Sequence, residues 1–567
     1  MCGVCGIVFK DYSKGDSYSE SVKGMCKNMW DRGPDNSDFW MGKHAVLGHT
    51  RLAIMDPSNS LANQPLESEN WVLIFNGEIY NFRALRRKLE LRGIVFRTDS
   101  DTEVLLNHIQ EYGIDQTLTV LNGIFAFCAY EKSSGNTHLV RDQLGIKPMY
   151  FWLDPKSETF WFASTPAAIV EANVEATGQS WDLNKQAVFS FFHLGAPGAR
   201  PSFFNKLDRL RPAEHMVVNN KLEVSKNRYW TPSFNKLDIE EAVMEAILME
   251  KETHVNSSVF LSGGIDSSVM AAVLSDVKGF HLSSPEEKYA QYVSNFLKIS
   301  LKVREFSNDI DFDKLLNKYS TSSGEASASS PIPLLVAELI TSEGYKVAFS
   351  ANGADELFFG YHRTTIPELK PEAFTALDYE QSSVKSHDEQ FYHIFRDEAS
   401  IIIPNFDRPK NRQNCRELYE INELDGDFPE SAHHRWFELQ TYVGCDLNPT
   451  LDFASMACSL EVRVPFLNRN LVETALSHDG NDFVSSDYGR KQPLKRMLKK
   501  FGFHPSLWSR SKVGFSIPDD IVKKRDDGIN IHLDELEERN LFKLGISKQN
   551  SARDYIYLNS AIQAFNI

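Results

Sequence analysis

The stretch that decides the fold of the second half is SSVFLSGGIDSSVMAAVL, residues 257–274. Residues 258–261 form a short apolar run of the kind found in a buried strand, and residues 268–274 have helical character. A second apolar strand, residues 346–349, also runs into a tight loop. Strands that alternate with helices indicate a parallel sheet covered on both faces, so we predict an α/β domain.

The loop between the first strand and helix, SGGIDSS at residues 262–268, has the features of an anion site. Backbone N–H groups at a helix N-terminus attract a phosphate, and Gly263 and Gly264 let the main chain approach it closely. The lysine of a Walker A loop is absent. A Ser/Gly-rich turn without function is the alternative that the string alone leaves open.

The first 210 residues have a different pattern. Short strands are broken by Gly, Pro, Asn and Asp clusters, and helical periodicity occurs in only two or three places, such as residues 81–92 and 102–112. This pattern predicts an α+β domain of layered antiparallel sheets. From Asp238, an N-cap, a helical apolar repeat begins. We expect one domain at residues 2–210, a connection at 211–237 and a second domain at 238–567.

Composition excludes several classes of protein. The chain has 567 residues and a formal net charge of −16, which argues against a protein that wraps nucleic acid. No apolar run is long enough for a bilayer span, and the seven scattered cysteines indicate a reducing compartment. We expect a cytoplasmic enzyme with no membrane or nucleic-acid partner. One basic group is either a solvated helix face or a polyanion site: Arg490, Lys491, Lys495, Arg496, Lys499 and Lys500.

Cys2 is a candidate nucleophile. Removal of Met1 would leave a residue with both a thiol and a free α-amine, and an α-amine titrates near ~7.7–8.0, so it can accept the thiol proton. By itself, Met-Cys-Gly is a weak signal that favours a buried structural thiol.

A series of motifs in the first domain resembles the class II glutamine amidotransferases, whose nucleophile is an N-terminal cysteine. The motifs, in order, are MCGVCGIV (1–8), DRGPD (31–35), HTRLAI (49–54), FNGEIYN (75–81), SDTEV (100–104), LNGIFAF (121–127) and RDQLGIKPMY (141–150). The resemblance implies an N-terminal-nucleophile hydrolase fold and hydrolysis of glutamine by Cys2.

The resemblance also assigns roles to five residues. Asn76 and the Gly77 N–H would form the oxyanion hole, and Arg51 would bind the α-carboxylate of glutamine as a bidentate fork. Glu78 and Asp101 would hold its α-ammonium. The alternatives are a type I′ hairpin turn at Asn76-Gly77 and an ordinary surface ion pair for Arg51 and Asp101.

The second domain resembles the N-type ATP pyrophosphatases, and the whole chain resembles the glutamine-hydrolysing asparagine synthetases. Beyond SGGIDSS, the resemblance is carried by SSPEEKYA (283–290), SANGADELFFGYHR (350–363), SMACSLEVRVPFLN (455–468) and RSKVGF (510–515). It implies that ATP activates a carboxylate and that the substrates are glutamine, ATP and aspartate. It also allows a homodimer.

For the ATP site, the resemblance implies Mg²⁺ on Asp266 and Asp355 and neutralisation of phosphate charge by Lys512. The remaining residues expected to hold ATP are Leu261, Ser262, Gly263, Gly264, Ser267, Ser268 and Ser350. As alternatives, Asp355-Glu356 could be an acidic pair at a helix N-terminus, and Glu461 with Arg463 could be a structural ion pair.

The chain departs from the family pattern at several positions. Asp31 replaces a usual histidine, Thr165 a usual glutamate and Asn468 a usual aspartate. Ala351-Asn352 replaces Gly followed by an acidic residue close to the expected adenylate. This last change leaves open an amide ligase that acts on another carboxylic acid. A non-catalytic relative and an amidotransferase of another kind are less consistent with the intact motifs.

Overall fold

The computed structural model describes residues 2–184, 187, 188, 190, 191, 197–305, 310–327, 330–361 and 422–510. Within these residues no helix is long and apolar enough to cross a membrane.

The N-terminal half contains two six-stranded antiparallel sheets. The strands are β1 (Cys2–Phe9), β2 (Asn36–Met41), β3 (Ala45–Arg51), β4 (Leu66–Glu67), β5 (Trp71–Ile79), β6 (Gly123–Glu131), β7 (Thr137–Arg141), β8 (Tyr150–Asp154), β9 (Thr159–Ala163), β10 (Asp208–Arg209), β11 (Glu214–Val218) and β12 (Val224–Arg228). The first sheet has the order β10-β8-β9-β1-β3-β2, and the second has the order β12-β11-β7-β6-β5-β4.

Alternation along the strands explains how the layers stack. Successive side chains of a strand point to opposite faces, so Val4 and Val8 of β1 join a core with Val72 and Ile74 of β5. The other face of the first sheet packs against two helices, α1 (Gly15–Asn28) and α5 (Pro166–Thr177). Three further helices are α2 (Phe82–Glu90), α3 (Asp101–Tyr112) and α4 (Ile114–Val120). The predicted layered α+β class is confirmed.

The C-terminal half is built on a five-stranded parallel sheet. Its strands are β13 (Ser257–Phe260), β14 (Lys278–Leu282), β15 (Leu301–Arg304), β16 (Val347–Phe349) and β17 (Glu461–Arg463), in the order β15-β14-β13-β16-β17. The order reverses at β13, whose neighbours are β14 on one side and β16 on the other. Open α/β sheets bind ligands at such a reversal, beyond the carboxyl ends of the strands.

Helices connect and surround the parallel strands, which confirms the predicted α/β class. They are α6 (Ile239–Glu250), α7 (Ile265–Leu274), α8 (Glu287–Leu297), α9 (Phe312–Ser323), α10 (Pro331–Ser342), α11 (Ala354–Leu357), α12 (Glu430–Glu438), α13 (Asn448–Met456), α14 (Arg469–Leu476) and α15 (Gln492–Lys500), with a π-helical stretch at Leu439–Leu447. Asp238 caps α6, as its side chain accepts hydrogen bonds from the N–H groups of Glu240 and Glu241.

Two details differ from the sequence-based expectation. Helix α7 begins at Ile265, three residues before the expected start, so Asp266 lies in its first turn. Strand β11 pairs with β7 on one side and with β12 on the other, so the second sheet continues through Arg228 and includes part of the expected connection. The domain boundaries themselves stay a prediction.

Candidate active sites

A pocket of about 350 Å³ opens where the two antiparallel sheets meet. Five of the residues expected to act on glutamine line it: Cys2, Arg51, Gly77, Glu78 and Asp101. Strand register accounts for part of this set, because Cys2 begins β1 directly opposite Arg51, which ends β3. The pocket therefore brings together residues that lie up to 99 positions apart in the sequence.

Cys2 and Asn76 make direct contact beside this pocket. The backbone N–H of Cys2 donates to Oδ1 of Asn76 at 2.9 Å, and Nδ2 of Asn76 is buried without a hydrogen-bond partner. A buried donor without a partner is costly, and here it is available to an oxyanion. Burial raises the pKa of the Cys2 thiol, so the thiol needs a base to become a nucleophile.

The hairpin-turn alternative for Asn76-Gly77 is wrong, because both residues lie inside β5. Gly77 has φ +155°, and a Cβ there would lie 2.0 Å from the carbonyl oxygen of Ile124 on β6. The position therefore requires glycine for close approach of two strands.

Arg51 is buried and held by neutral partners. Its Nη1 donates to Oδ1 of Asn63 at 2.7 Å, and its Nη2 donates to the carbonyl oxygens of Met55 and Asp56, both at 3.0 Å. Asp101 is buried as well, so a surface ion pair describes neither residue. With no carboxylate among these partners, the guanidinium retains its charge for an anionic ligand.

The acidic side of the pocket consists of Glu78 and Asp101. Burial raises the pKa of Asp101 to about 6, although the N–H of Ile79 donates to its Oδ2 at 2.8 Å. Burial, followed by the charges of Asp101 and Glu461, raises the pKa of Glu78 well above its usual range. Two carboxyl groups that repel each other in a buried site would both gain from binding a cation.

The loop at residues 262–268 leaves the carboxyl end of β13. Within it, the Gly264 N–H donates to Oγ of Ser262 at 3.2 Å, and Oγ of Ser262 lies 3.0 Å from Oγ of Ser267. Oγ of Ser268 donates to the Gly264 carbonyl at 2.6 Å. Gly263 has φ +77°, and a Cβ there would lie 2.5 Å from the backbone nitrogen of Ala290. Glycine is thus required at the tip of the loop.

Asp266 and Asp355 approach each other across this loop, and an internal cation joins them. Nζ of Lys491 lies 2.6 Å from Oδ2 of Asp266 and 2.5 Å from Oδ1 of Asp355. Burial alone would lower the pKa of Lys491, but the two carboxylates outweigh it and raise that pKa above its ordinary value. The lysine is therefore charged. Asp355 and Glu356 do lie in the first turn of α11, as the alternative expected, and Asp355 in addition pairs with Lys491.

The same two carboxylates fit a hard divalent cation. Oδ1 of Asp266 is buried and makes no hydrogen bond, because Lys491 occupies only the other oxygen. Carboxylate oxygens are the ligands that Mg²⁺ takes from proteins, and it keeps other positions for water and phosphate. Asp266 and Asp355 would thus hold the metal that ATP brings.

The other expected ATP-site residues are placed as follows. Leu261 packs its side chain in the core and follows β13, so only its main chain faces the loop. Ser350 follows β16 and donates from Oγ to Oδ1 of Asn352 at 3.0 Å, which gives the unusual Asn352 a local partner. Lys512 lies outside the described residues.

Lys491 is the residue that sequence reasoning missed. We grouped it with the basic face of one helix, but Arg490 and Lys491 are buried and precede α15, whereas Lys499 and Lys500 are exposed. The sequence does contain a signal for this difference, because the proline after Gln492 marks the start of a helix. Lys491 precedes that start, so it does not belong to the helical repeat of the basic residues within α15.

Glu461 and Arg463 form a buried ion pair, as one alternative predicted. Nε of Arg463 donates to Oε1 of Glu461 at 2.7 Å, and neither side chain reaches solvent. Burial alone would raise the pKa of Glu461, but nearby positive charges, including Arg463 and Lys147, hold it at about 2. Arg463 also crosses to the other half of the chain, where its Nη2 lies 3.3 Å from Oε1 of Glu78.

Asn468 lies at the contact between the two halves rather than among the loops at the ATP site. It caps α14 by accepting a hydrogen bond from the N–H of Asn470 at 3.1 Å, a task that aspartate performs equally well. Its Nδ2 lies 3.4 Å from Oε1 of Glu250, and its Oδ1 lies 3.4 Å from Nδ2 of Asn122. An amide suits this place because aspartate would face the Glu250 carboxyl.

An N-terminal cysteine at the junction of two antiparallel sheets, joined to a parallel sheet with a glycine-containing anion loop, defines a two-part glutamine amidotransferase. Residues 1–230 match the sequence model of the glutamine amidotransferase domain, and residues 238–558 match that of asparagine synthase. Because the second match covers more than half of the chain, the protein belongs to the asparagine synthase family.

Curated relatives share this organisation. The asparagine synthetase [glutamine-hydrolyzing] 1 of Bacillus subtilis is 27% identical over 566 residues, which cover 91% of this chain and 87% of the relative. The asparagine synthetase [glutamine-hydrolyzing] of Zea mays is 30% identical over 391 residues, which cover 64% of this chain and 60% of the relative. Among solved structures, a glutamine phosphoribosylpyrophosphate amidotransferase from B. subtilis has a TM-score of 0.30 at 14% identity, over 63% of this chain and 77% of that one.

Proposed function

We propose that the protein is a glutamine-dependent asparagine synthetase, which converts glutamine, ATP and aspartate to glutamate, asparagine, AMP and pyrophosphate. The single observation that supports this best is the presence of both candidate sites in one chain: the pocket at Cys2 and the Asp266–Lys491–Asp355 cluster.

In the first half-reaction, the α-amine of processed Cys2 takes the thiol proton, and sulfur attacks the side-chain amide carbon of glutamine. Asn76 and Gly77 stabilise the oxyanion, and each donor lowers the barrier by roughly 3–4 kcal/mol. Collapse expels ammonia and leaves a thioester, which water hydrolyses to glutamate. Arg51 would hold the α-carboxylate of glutamine, while Glu78 and Asp101 hold its α-ammonium.

In the second half-reaction, a carboxylate oxygen attacks the α-phosphate of ATP, releasing pyrophosphate and forming an acyl-adenylate. The backbone at Leu261, the loop residues Ser262, Gly263, Gly264, Ser267 and Ser268, and Ser350 would bind ATP, and Mg²⁺ on Asp266 and Asp355 would neutralise phosphate charge. Lys491, together with Lys512, would add positive charge there. Ammonia then attacks the acyl carbon, and AMP leaves.

A related amide ligase with another acceptor is the second candidate. It is favoured by Ala351-Asn352, because asparagine cannot accept a proton as a carboxylate would. AMP release measured with a panel of carboxylic acids separates the two. Stimulation by aspartate is expected, whereas stimulation by another acid alone would reject the asparagine assignment.

Two variants test whether the two half-reactions take place at separate sites. Cys2→Ala should abolish glutamate formation from glutamine but leave AMP formation with added ammonia, because the nucleophile is lost while the second site is untouched. Asp266→Asn should abolish AMP formation and leave glutaminase activity. Loss of both activities in both variants, with the fold intact by circular dichroism, would contradict two separate sites.

A further inference from the structure

One buried arginine contacts both candidate sites. Arg463 belongs to β17, the strand that follows β16 in the sheet order, and its guanidinium is fully buried. Nη1 donates to the carbonyl oxygens of Glu250 at 2.6 Å and Glu252 at 2.5 Å, and Nε donates to Glu461. These bonds fix the guanidinium, so its remaining nitrogen, Nη2, has a defined position 3.3 Å from the Glu78 carboxylate.

The main chain of Arg463 contacts the candidate ATP site. The N–H of Ser350 donates to the carbonyl oxygen of Arg463 at 2.9 Å. Ser350 starts the short loop that leads to Asp355, the carboxylate bound by Lys491. A displacement of Arg463 would therefore move both a wall of the pocket at Cys2 and the entrance to the loop at Asp355.

We propose that Arg463 is a positioning residue that couples glutamine binding to the conformation of the ATP-site loop through Glu78. The inference rests on the proposed function. When the α-ammonium of glutamine enters the pocket, Glu78 has two cationic partners instead of one. The electrostatic attraction between Glu78 and Arg463 then changes. Since coupling between binding sites is reciprocal, ligands at the ATP site should change the affinity for glutamine by the same factor.

Equilibrium binding in a Cys2→Ala background measures this factor, because that variant should bind glutamine without consuming it. Calorimetry would give the Kd of glutamine alone and with aspartate, Mg²⁺ and an ATP analogue that cannot be cleaved between the α- and β-phosphates. We expect the two values to differ by about 5-fold or more. Addition of Arg463→Gln should bring the ratio close to 1, and Arg463→Lys should restore part of it. Equal Kd values without the Arg463 change would overturn the proposal.

Lys346→Gln is the matched control. Nζ of Lys346 lies 2.8 Å from Oδ2 of Asp35, so this pair also joins the two halves of the chain, and Lys346 directly precedes β16. It does not contact Glu78. The control should keep the ratio of the Cys2→Ala background. A ratio lost equally in both variants would show general loosening of the interface and would overturn a specific role for Arg463.

A second measurement avoids substitution of a buried arginine. Hydrogen exchange of Cys2→Ala protein with and without glutamine should reveal altered protection in the peptide that contains Ser350. No change there, in protein that binds glutamine by calorimetry, would overturn the inference while leaving the proposed function intact. Failure of the unsubstituted protein to hydrolyse glutamine or release AMP would instead overturn the proposed function.

Discussion

At the scale of single residues, the two polar atoms of the Asn76 side chain have different environments. Its Oδ1 accepts a hydrogen bond from the Cys2 N–H, and its Nδ2 is buried beside the pocket without a hydrogen-bond partner. The proposed nucleophile and the proposed oxyanion donor are therefore linked by one hydrogen bond, which ties the position of the donor to that of Cys2. Such preorganised donors are effective because they need no rearrangement during the reaction.

Asp101 leads to a prediction about pH. Because burial raises its pKa to about 6, Asp101 loses its negative charge as the pH falls through that value, and its attraction for an ammonium group weakens. We expect kcat/KM for glutamine to fall below about pH 6. Asp101→Asn should lower kcat/KM at pH 8 about 10-fold or more, since a charge-assisted hydrogen bond is lost.

The measurement is glutamate formation between pH 5 and pH 8, with ammonia-dependent AMP formation as the reference for the untouched site. Asp101→Asn should also flatten the acid limb of the profile. An unchanged limb in the variant would assign the titration to another group.

At the scale of elements, the loop between β13 and α7 depends on a left-handed residue at its tip. Gly263→Ala would place a Cβ against the backbone of α8 and would force a positive φ on alanine. We expect ATP-dependent AMP formation to fall at least about 10-fold, corresponding to roughly 1–3 kcal/mol of backbone strain, with glutaminase activity retained.

Gly344 provides the matched control for this prediction. It also has a positive φ, +83°, but no atom lies within 4 Å of an added Cβ. Gly344→Ala therefore introduces similar backbone strain without the clash and should leave AMP formation nearly unchanged. Equal losses in both variants would show that strain in the domain, rather than the shape of the loop, limits activity.

The strands and loops of both sites were predictable from sequence because their signals are local: SGGIDSS, FNGEIYN and SDTEV each lie within a few residues. Helix α1 was not predicted, although its buried residues Tyr18, Val22, Met25 and Cys26 follow helical spacing, and helix α5 was missed because apolar residues occupy most of its positions. Lys491 was missed for a different reason. Its two partners, Asp266 and Asp355, are 225 and 136 residues away, and only the folded sheet brings them together.

At the scale of the whole molecule, buried charges join the two halves. Asp452 of α13 lies 2.9 Å from Nη2 of Arg32 and 3.3 Å from Nζ of Lys147, and all three side chains are buried. Nε of Arg32 also donates to the carbonyl oxygen of Cys2 at 3.1 Å. The second half of the chain thereby supports the position of Cys2, the proposed nucleophile, in the first.

Asp452→Asn tests this support. The substitution leaves two buried cations without their shared anion, so we expect a loss of about 3–5 kcal/mol in the free energy of unfolding. Asp35→Asn serves as the comparison, since its pair with Lys346 is partly exposed and should contribute about 0–1 kcal/mol. Denaturant unfolding of both proteins checks the difference, and equal losses would contradict a special role for the buried cluster.

Strand β17 has one further consequence. It is the terminal strand of the parallel sheet within the described part of the chain, yet all three of its residues are buried. Part of that cover is the contact of Arg463 with Glu78 in the other half. If the C-terminal half were produced by itself, the β17 edge of the sheet would be exposed to solvent. Its unpaired peptide groups could then pair with a strand of another molecule, which is a route to self-association. We therefore expect the C-terminal half to self-associate more readily when it is produced without the amidotransferase half.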